Sequence, residues 1–263
     1  MGLLELAEPQ FEIKIAATNE QIRASQRLRY EVFIKEMGGN GKFVDHVNKL
    51  EKDEFDPFFE HLILTDNANP KMGVIGVYRI LRSDKMKEIG RFYSEDEYDL
   101  SLLHKSNLRL LELGRSCVHR YYRGGTAMYH LWQGLSDYIT KYKIDILFGV
   151  ASFHGTDIDD FVQPLSYLYH HHLAPDYLCP KSLVHESLNI LDIDQIDSKS
   201  AKKDIPPLIK AYLRLGGMVG DGAYIDKSFN TIDVCLVMEL SKMSERHKEI
   251  YTCLLYTSPS PRD

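Results

Sequence analysis

Cysteine, tryptophan and positive charge are all scarce in this 263-residue chain, and each scarcity excludes something. The four cysteines, Cys117, Cys179, Cys235 and Cys253, stand far apart in no metal-ligand spacing. Neither a zinc site nor a disulfide framework follows from them, so reduced thiols are expected. No stretch reaches the roughly 18 consecutive apolar residues of a membrane-spanning helix, and the opening Met1-Gly2-Leu3-Leu4-Glu5 lacks the basic flank of a signal peptide. A cytoplasmic location is the expectation. Acidic residues outnumber Lys and Arg by 38 to 32, for a formal net charge of -6. That balance argues against bulk binding to nucleic acid, while a local basic patch can still meet an acidic partner. No internal repeat or linker-like stretch is visible, so a single domain over residues 1–251 is expected, with enough apolar content to bury one sizeable core. Residues 252–263 end in Ser-Pro-Ser-Pro-Arg-Asp and read as a non-native or disordered tail, outside the fold.

What is present has the grammar of a mixed α/β sheet. Residues 11–17 alternate as a strand does, and Thr18-Asn19-Glu20-Gln21 has the spacing of a capping box that opens a helix running to about Met37. An acidic, aromatic stretch over 45–59 reads as an ordered loop or short helix. Strands follow at 61–65 and 73–81, divided by the turn Asp66-Asn67-Ala68-Asn69-Pro70. A long strand over 108–118 leads through Arg120-Tyr121-Tyr122-Arg123-Gly124-Gly125 into a helix with Ala127, Leu131, Leu135 and Ile139 at four-residue spacing. A buried strand follows at 144–150. Strand, glycine loop, helix and strand make a βαβ unit, which calls for a parallel pair. Helices near 164–173 and 206–215 and a strand over 232–240 complete the outline.

Three features carry candidate chemistry. The segment Arg123-Gly124-Gly125-Thr126-Ala127 lies between strand and helix, where backbone N–H groups and the helix dipole favour a phosphate, although two glycines also serve simple turn geometry. The strand before it holds Glu112 and Arg115. Strict alternation would place them on opposite faces, and a bulge at Gly114 would bring them to one side. An ion pair at a sheet end is the plainer alternative. Arg29 and Phe33 share a helix face, Asp53 and Asp56 lie in the following loop, and Arg79 interrupts an apolar strand. Each alone reads as a surface charge; together they suit a polar site. His170-His171-His172 point in different directions on a helix, and Asp221 to Asp226 lacks calcium-loop spacing, so no metal is assigned to either.

The segments RLRYEVFIKEMG from Arg27, LELGRSCVHRYYRGGTA from Leu111, ILFGVASFHGTD from Ile146 and PPLIKAYLRLGGMVGDGAYIDKSFNTIDV from Pro206 resemble the ornithine N-acyltransferases of ornithine lipid synthesis. The resemblance covers about residues 10–240, and that family is similar in turn to autoinducer synthases and N-acyl amino acid synthases. It implies the Gcn5-related N-acyltransferase fold: a mixed, mostly antiparallel sheet with a central splayed parallel pair and helices on both faces. It implies transfer of a 3-hydroxyacyl group from a phosphopantetheine thioester on acyl carrier protein to the α-amine of ornithine, with no tightly bound cofactor. A lipid product would encourage association with the inner leaflet.

On the autoinducer synthase pattern the matching positions are Arg29, Phe33, Asp53, Asp56, Arg79, Phe92, Glu112 and Arg115. The resemblance assigns Glu112 as base and Arg115 as its orienting partner. Arg29, Phe33, Asp53, Asp56 and Arg79 would hold the amine substrate, and Arg120, Arg123, Gly124, Gly125, Thr126 and Ala127 the donor. Two departures narrow this. A tryptophan expected soon after Phe33 is absent, which disfavours a homoserine lactone product. The acetyl-CoA consensus has glycine at Thr126 and glycine or alanine at Met128, so a carrier-bound arm is favoured over free acetyl-CoA. Another amine acceptor (glycine, lysine, serinol or tyrosine) and a non-catalytic carrier-binding module on the same fold stay open.

Overall fold

The computed structural model describes residues 7–243; the tail expected at 252–263, and Cys253 with it, lies outside them. In chain order the elements are β1 (Phe11–Ile15), α1 (Asn19–Arg29), β2 (Glu60–Asp66), β3 (Val74–Arg82), α2 (Ser83–Met86), β4 (Tyr98–Asp99), α3 (Ser101–Lys105), β5 (Leu110–Val118) and α4 (Ala127–Tyr142). Then come β6 (Ile146–His154), α5 (Val162–His172), β7 (Lys181–Ser182), α6 (Ser198–Asp204), α7 (Pro207–Arg214), β8 (Met218–Val219), β9 (Tyr224–Asp226) and β10 (Thr231–Glu239). The chain forms two compact units. The first holds residues 7–80 and Arg115–Tyr142, and the second Leu81–Gly114 and 143–243.

In the first unit β1, β2 and β3 pair antiparallel in that order. Thr18 caps α1 as expected: its side chain accepts from Gln21 N while the Gln21 side chain answers the N-cap backbone. The helix was expected to run to Met37. It stops being α-helical at Arg29 and widens into a π-helical stretch, Tyr30–Glu36, ending where Met37 N donates to Val32 O across five residues at 3.1 Å. Leu28 and Val32 pack with Ile63 and Val77 on one side of the sheet. On the other side Gly134 of α4 meets Ile13, and Leu131 of α4 lies over Gly76 and close to Leu64. Ile63 and Leu64 are neighbours on one strand and point opposite ways, so α1 and α4 cover opposite faces.

The second unit carries the parallel pair that the strand–helix–strand pattern called for. Leu110, Leu111 and Glu112 of β5 stand beside Ile146, Leu147 and Phe148 of β6. Antiparallel to β6 runs β10, over its whole length, and β8 and β9 pair antiparallel with β10 in turn. Residues 221–226 were read as loop; their second half is strand β9, which closes a hairpin onto Thr231–Asp233. The parallel ladder ends at Gly149, whose φ of 155° suits glycine and where a Cβ would stand 2.1 Å from the Leu113 carbonyl oxygen. The irregularity expected at Gly114 falls one residue later, on Arg115, which takes φ 49°. A left-handed, non-glycine residue inside a strand is the mark of a local bulge held by its surroundings.

Candidate functional site

In the first unit the loop after α1 folds its acids against three arginines. Arg29, in the last turn of α1 and 0% exposed, donates through Nε to Glu51 and through NH1 to Asp56 at 2.7 Å. Arg79 of β3 donates NH1 to Asp53 at 2.6 Å and to Asp56 at 2.9 Å, with the Phe59 ring 4.6 Å from its guanidinium carbon. Arg115 bridges Glu51 at 3.2 Å and Asp53 at 3.3 Å. Gln26 donates to the second Asp56 oxygen at 2.9 Å, and His61 places Nε2 3.8 Å from Asp56 and Nδ1 2.6 Å from Ser25 Oγ.

These three guanidinium and three carboxylate charges balance, which is the condition for taking them out of water. Burial pushes the Asp56 carboxyl up, but the guanidinium groups of Arg29 and Arg79 outweigh it and hold the group far below the usual carboxylate range. The same contest, burial against Arg29 and Arg115, leaves Glu51 lowered, and burial against Arg79 and Arg115 leaves Asp53 lowered. For His61 burial and then the Arg29 charge act together and depress the ring to about 4, so it is neutral at neutral pH.

Arg29, Asp53, Asp56, Arg79 and Arg115 are thus brought together, and Phe33 is not among them; it packs against the apolar cluster of Leu28 and Val32. Sequence reasoning missed Glu51, His61, Ser25 and Gln26. Glu51 had a visible signal, two residues before Asp53 in the same acidic stretch; the other three sit in ordinary helix and strand patterns.

The glycine-bearing loop also belongs to the first unit. Gly124 takes φ 77°, residues 123–126 are exposed, and Ala127 is buried at the start of the 16-residue α4. The first-turn N–H groups of such a helix have no intrahelical partners. Arg123 donates Nε to Val118 O at 2.8 Å and pairs through NH2 with Glu36 at 2.7 Å, itself 46% exposed. Arg120 is exposed, with its guanidinium over the Tyr121 ring at 5.6 Å.

In the second unit Glu112 is 1% exposed on β5. Its Oε2 accepts from Tyr93 N at 2.9 Å, and its Oε1 from Ser94 N and from Ser94 Oγ, both at 2.6 Å. The donors open a short 3-10 turn, Tyr93–Asp96, directly after Phe92. Phe92 is buried edge-on against Phe148, the residue paired with Glu112 in the parallel ladder. These convergent donors fix the orientation of the carboxylate. Tyr93 and Ser94 carried no sequence signal. His170, at the end of α5, places Nε2 2.9 Å from Leu191 O, and His171 and His172 lie against the Tyr167 ring. Ligand-type oxygens of Glu97, Asp226 and Asp233 do gather, within 4.8 Å of one another.

A βαβ unit with a glycine turn before its helix, and a buried carboxylate where the parallel ladder ends, define a class. Residues 28–133 match the acetyltransferase (GNAT) domain model. The solved AHL synthase LasI has the same fold, with a TM-score of 0.52 at 15% identity, covering 97% of this chain and 100% of that one. A protein of Rhodobacter capsulatus named L-ornithine N(alpha)-acyltransferase is 53% identical over 245 residues, covering 92% of this chain and 95% of its own length. One of Brucella abortus with the same name is 39% identical over 247 residues, covering 91% and 88%. The chain belongs to the L-ornithine N(alpha)-acyltransferase family and is an amino-acid N-acyltransferase of the GNAT class.

Proposed function

We propose that this chain moves a 3-hydroxyacyl group from a phosphopantetheine thioester on acyl carrier protein to the α-amine of ornithine, the first step of ornithine lipid synthesis. The observation that carries the acceptor is the 53% identity to a protein of that name across 92% of the chain. The neutral α-amine attacks the thioester carbonyl, a tetrahedral intermediate forms, and the C–S bond breaks to release the pantetheine thiol. Glu112, directly or through one water, takes the proton that the α-ammonium must lose to become that neutral amine, and the second proton the nitrogen sheds goes to the departing sulfur. Backbone N–H groups near the end of the parallel ladder carry the developing oxyanion.

Direct attack, with no acyl-enzyme, is favoured by the state of the thiols. Burial raises Cys117 to about 12 and holds Cys235 well above its ordinary value, so neither supplies a thiolate nucleophile at neutral pH. Arg120, Arg123 and residues 124–127 receive the acidic carrier and its phosphate, through charge and through the N-terminal N–H groups of α4. The role proposed for Arg29, Asp53, Asp56 and Arg79, read from the sequence as holding the amine substrate, is to hold the loop over 51–56 and Arg115 in place, with Phe33 backing the helix that carries Arg29. A lipid product would draw the protein to the membrane surface. Among the described residues no helix is long and apolar enough to cross a membrane.

The test is expression in a bacterial host that makes no acylated ornithine, followed by lipid mass spectrometry. A new species with the mass of 3-hydroxyacyl-ornithine is expected. Acylation of a different amine would overturn the acceptor, and no amine-linked acyl product would overturn the reading.

A further inference from the structure

We propose that Glu97, Asp226, Asp233 and Thr231 form a pocket for an alkylammonium group, the side-chain amine of the acceptor. This inference rests on the reading that the acceptor is a diamino acid. The β9–β10 hairpin builds most of the pocket. Thr231 stands opposite Asp226 and Asp233 opposite Tyr224, and residues opposite one another in an antiparallel pair share a face. Thr231, Asp233 and Cys235 alternate along β10 onto that face. Glu97, from the segment just before β4, brings the third carboxylate, and the three acids offer oxygens within 4.8 Å of one another.

A second observation points to a ligand there. The Thr231 side chain, 3% exposed, stands opposite Asp226 and two residues before Asp233 on the same face, and its hydroxyl has no hydrogen-bond partner among the described residues. A buried hydroxyl left without a partner is costly, and one placed among carboxylates is relieved by a donor arriving between them.

The dimensions choose the donor. A cation centred among oxygens no more than 4.8 Å apart lies within about 2.8 Å of each, the length of a charge-assisted N–H···O bond. An ammonium with three N–H donors fits three carboxylates with the hydroxyl beside them. Asp226 is held in place by Ser228 N at 2.7 Å and Phe229 N at 3.1 Å, both on its Oδ1. Burial and then Glu97, Asp226, Asp96 and Asp233 raise the neighbouring Tyr224 phenol, the signature of a concentrated negative field. The pocket and the proposed base belong to the same unit. Glu112 stands beside Phe148 of β6, Phe148 stands opposite Val237 of β10, and Cys235 and Asp233 follow at alternate positions along that strand.

Calorimetric titration of the whole protein, without acyl donor, tests this with L-ornithine and L-norvaline, which differ only in the side-chain amine. Wild type is expected to bind ornithine at least tenfold more tightly. In Asp226→Asn and Asp233→Asn the gap should close to under threefold, with norvaline affinity unchanged and serving as the check on folding. Thr231→Val should cost about threefold for ornithine alone. An ornithine preference that survives both acid-to-amide changes overturns the pocket, as does a wild type with no preference. Titration with CaCl2 or MnCl2 is the third arm: tight metal binding abolished by the same variants and competing with ornithine would overturn the ammonium assignment in favour of a metal. Turnover with acyl carrier protein thioester separates this inference from the function. Preference without turnover retains the pocket and sinks the proposed reaction; turnover with a preference indifferent to the variants does the reverse.

Discussion

Both units bury carboxylates, and they satisfy them in opposite ways. In the first, Glu51, Asp53 and Asp56 each face a guanidinium, and the six charges close on one another. In the second, Glu112 is held by two backbone N–H groups and a serine hydroxyl, and Asp226 of the hairpin, in a cluster with Glu97 and Asp233, stands opposite the buried Thr231. An ion network of matched charges is rigid and its members keep their protonation, so it suits a scaffold. A carboxylate aimed by backbone and hydroxyl donors is held in one orientation, which suits chemistry. The same residue type is therefore expected to answer to stability measurements in one unit and to activity measurements in the other.

The sharpest test is Glu112→Gln, expected to lower kcat by about 10² to 10⁴-fold while the thermal midpoint moves by only a few degrees. A variant that turned over at the wild-type rate would move the base elsewhere. Asp56→Asn is the mirror experiment. It leaves Arg29 and Arg79 short of a buried counter-charge, and urea unfolding should show a loss of about 3 to 5 kcal/mol. If Asp56→Asn instead left stability untouched and abolished turnover, the contrast between the units would be wrong.

Acid titration separates the groups further. The folded value of His61, about 4, lies below its unfolded value, so the unfolded chain binds the extra proton between about pH 6.5 and 4. Its contribution, on the order of 3 kcal/mol, is whole above that window and is lost as pH falls through it. His61→Gln should flatten the stability profile over that range. The lowered carboxylates Asp56, Glu51 and Asp53 act below it, with stability present above their unfolded values near pH 4 and lost as pH falls further. The smallest effect is expected at Arg123→Glu, whose half-exposed pair with Glu36 is worth under about 1 kcal/mol to the fold. Its readout is a severalfold rise in KM for the acyl carrier protein with a weaker dependence on salt and an unchanged kcat.

Legibility in the sequence followed the range of the interaction. The Thr18–Gln21 capping box, the turn at residues 66–70 and the stripe of α4 are written within a few positions; the structure has the first two, and it buries Ala127, Leu131 and Leu135 of the stripe, with Tyr138 in place of Ile139. The parallel pair was readable because strand, glycine turn, helix and strand are consecutive. The π-helical continuation of α1 was not, because apolar residues at helical spacing suit either winding. Nor was the residue that bends β5. Gly114 was the natural choice for a bulge, and the network that grips Arg115 through Glu51 and Asp53 instead accompanies a left-handed conformation at the arginine.

By itself the sequence determined the alternation of strands and helices, the single glycine turn before a long helix, and the presence of charged residues where apolar ones belong. Which charges meet was decided only by the tertiary structure. Glu97, Asp226 and Asp233 are more than a hundred residues apart at the extremes, and no local pattern encodes their meeting. Glu51 joins Arg29 and Arg115 because the loop after α1 brings it to that helix and to strand β5 at once. A buried charge is tolerated only beside its answer, and where that answer comes from is a property of the folded chain.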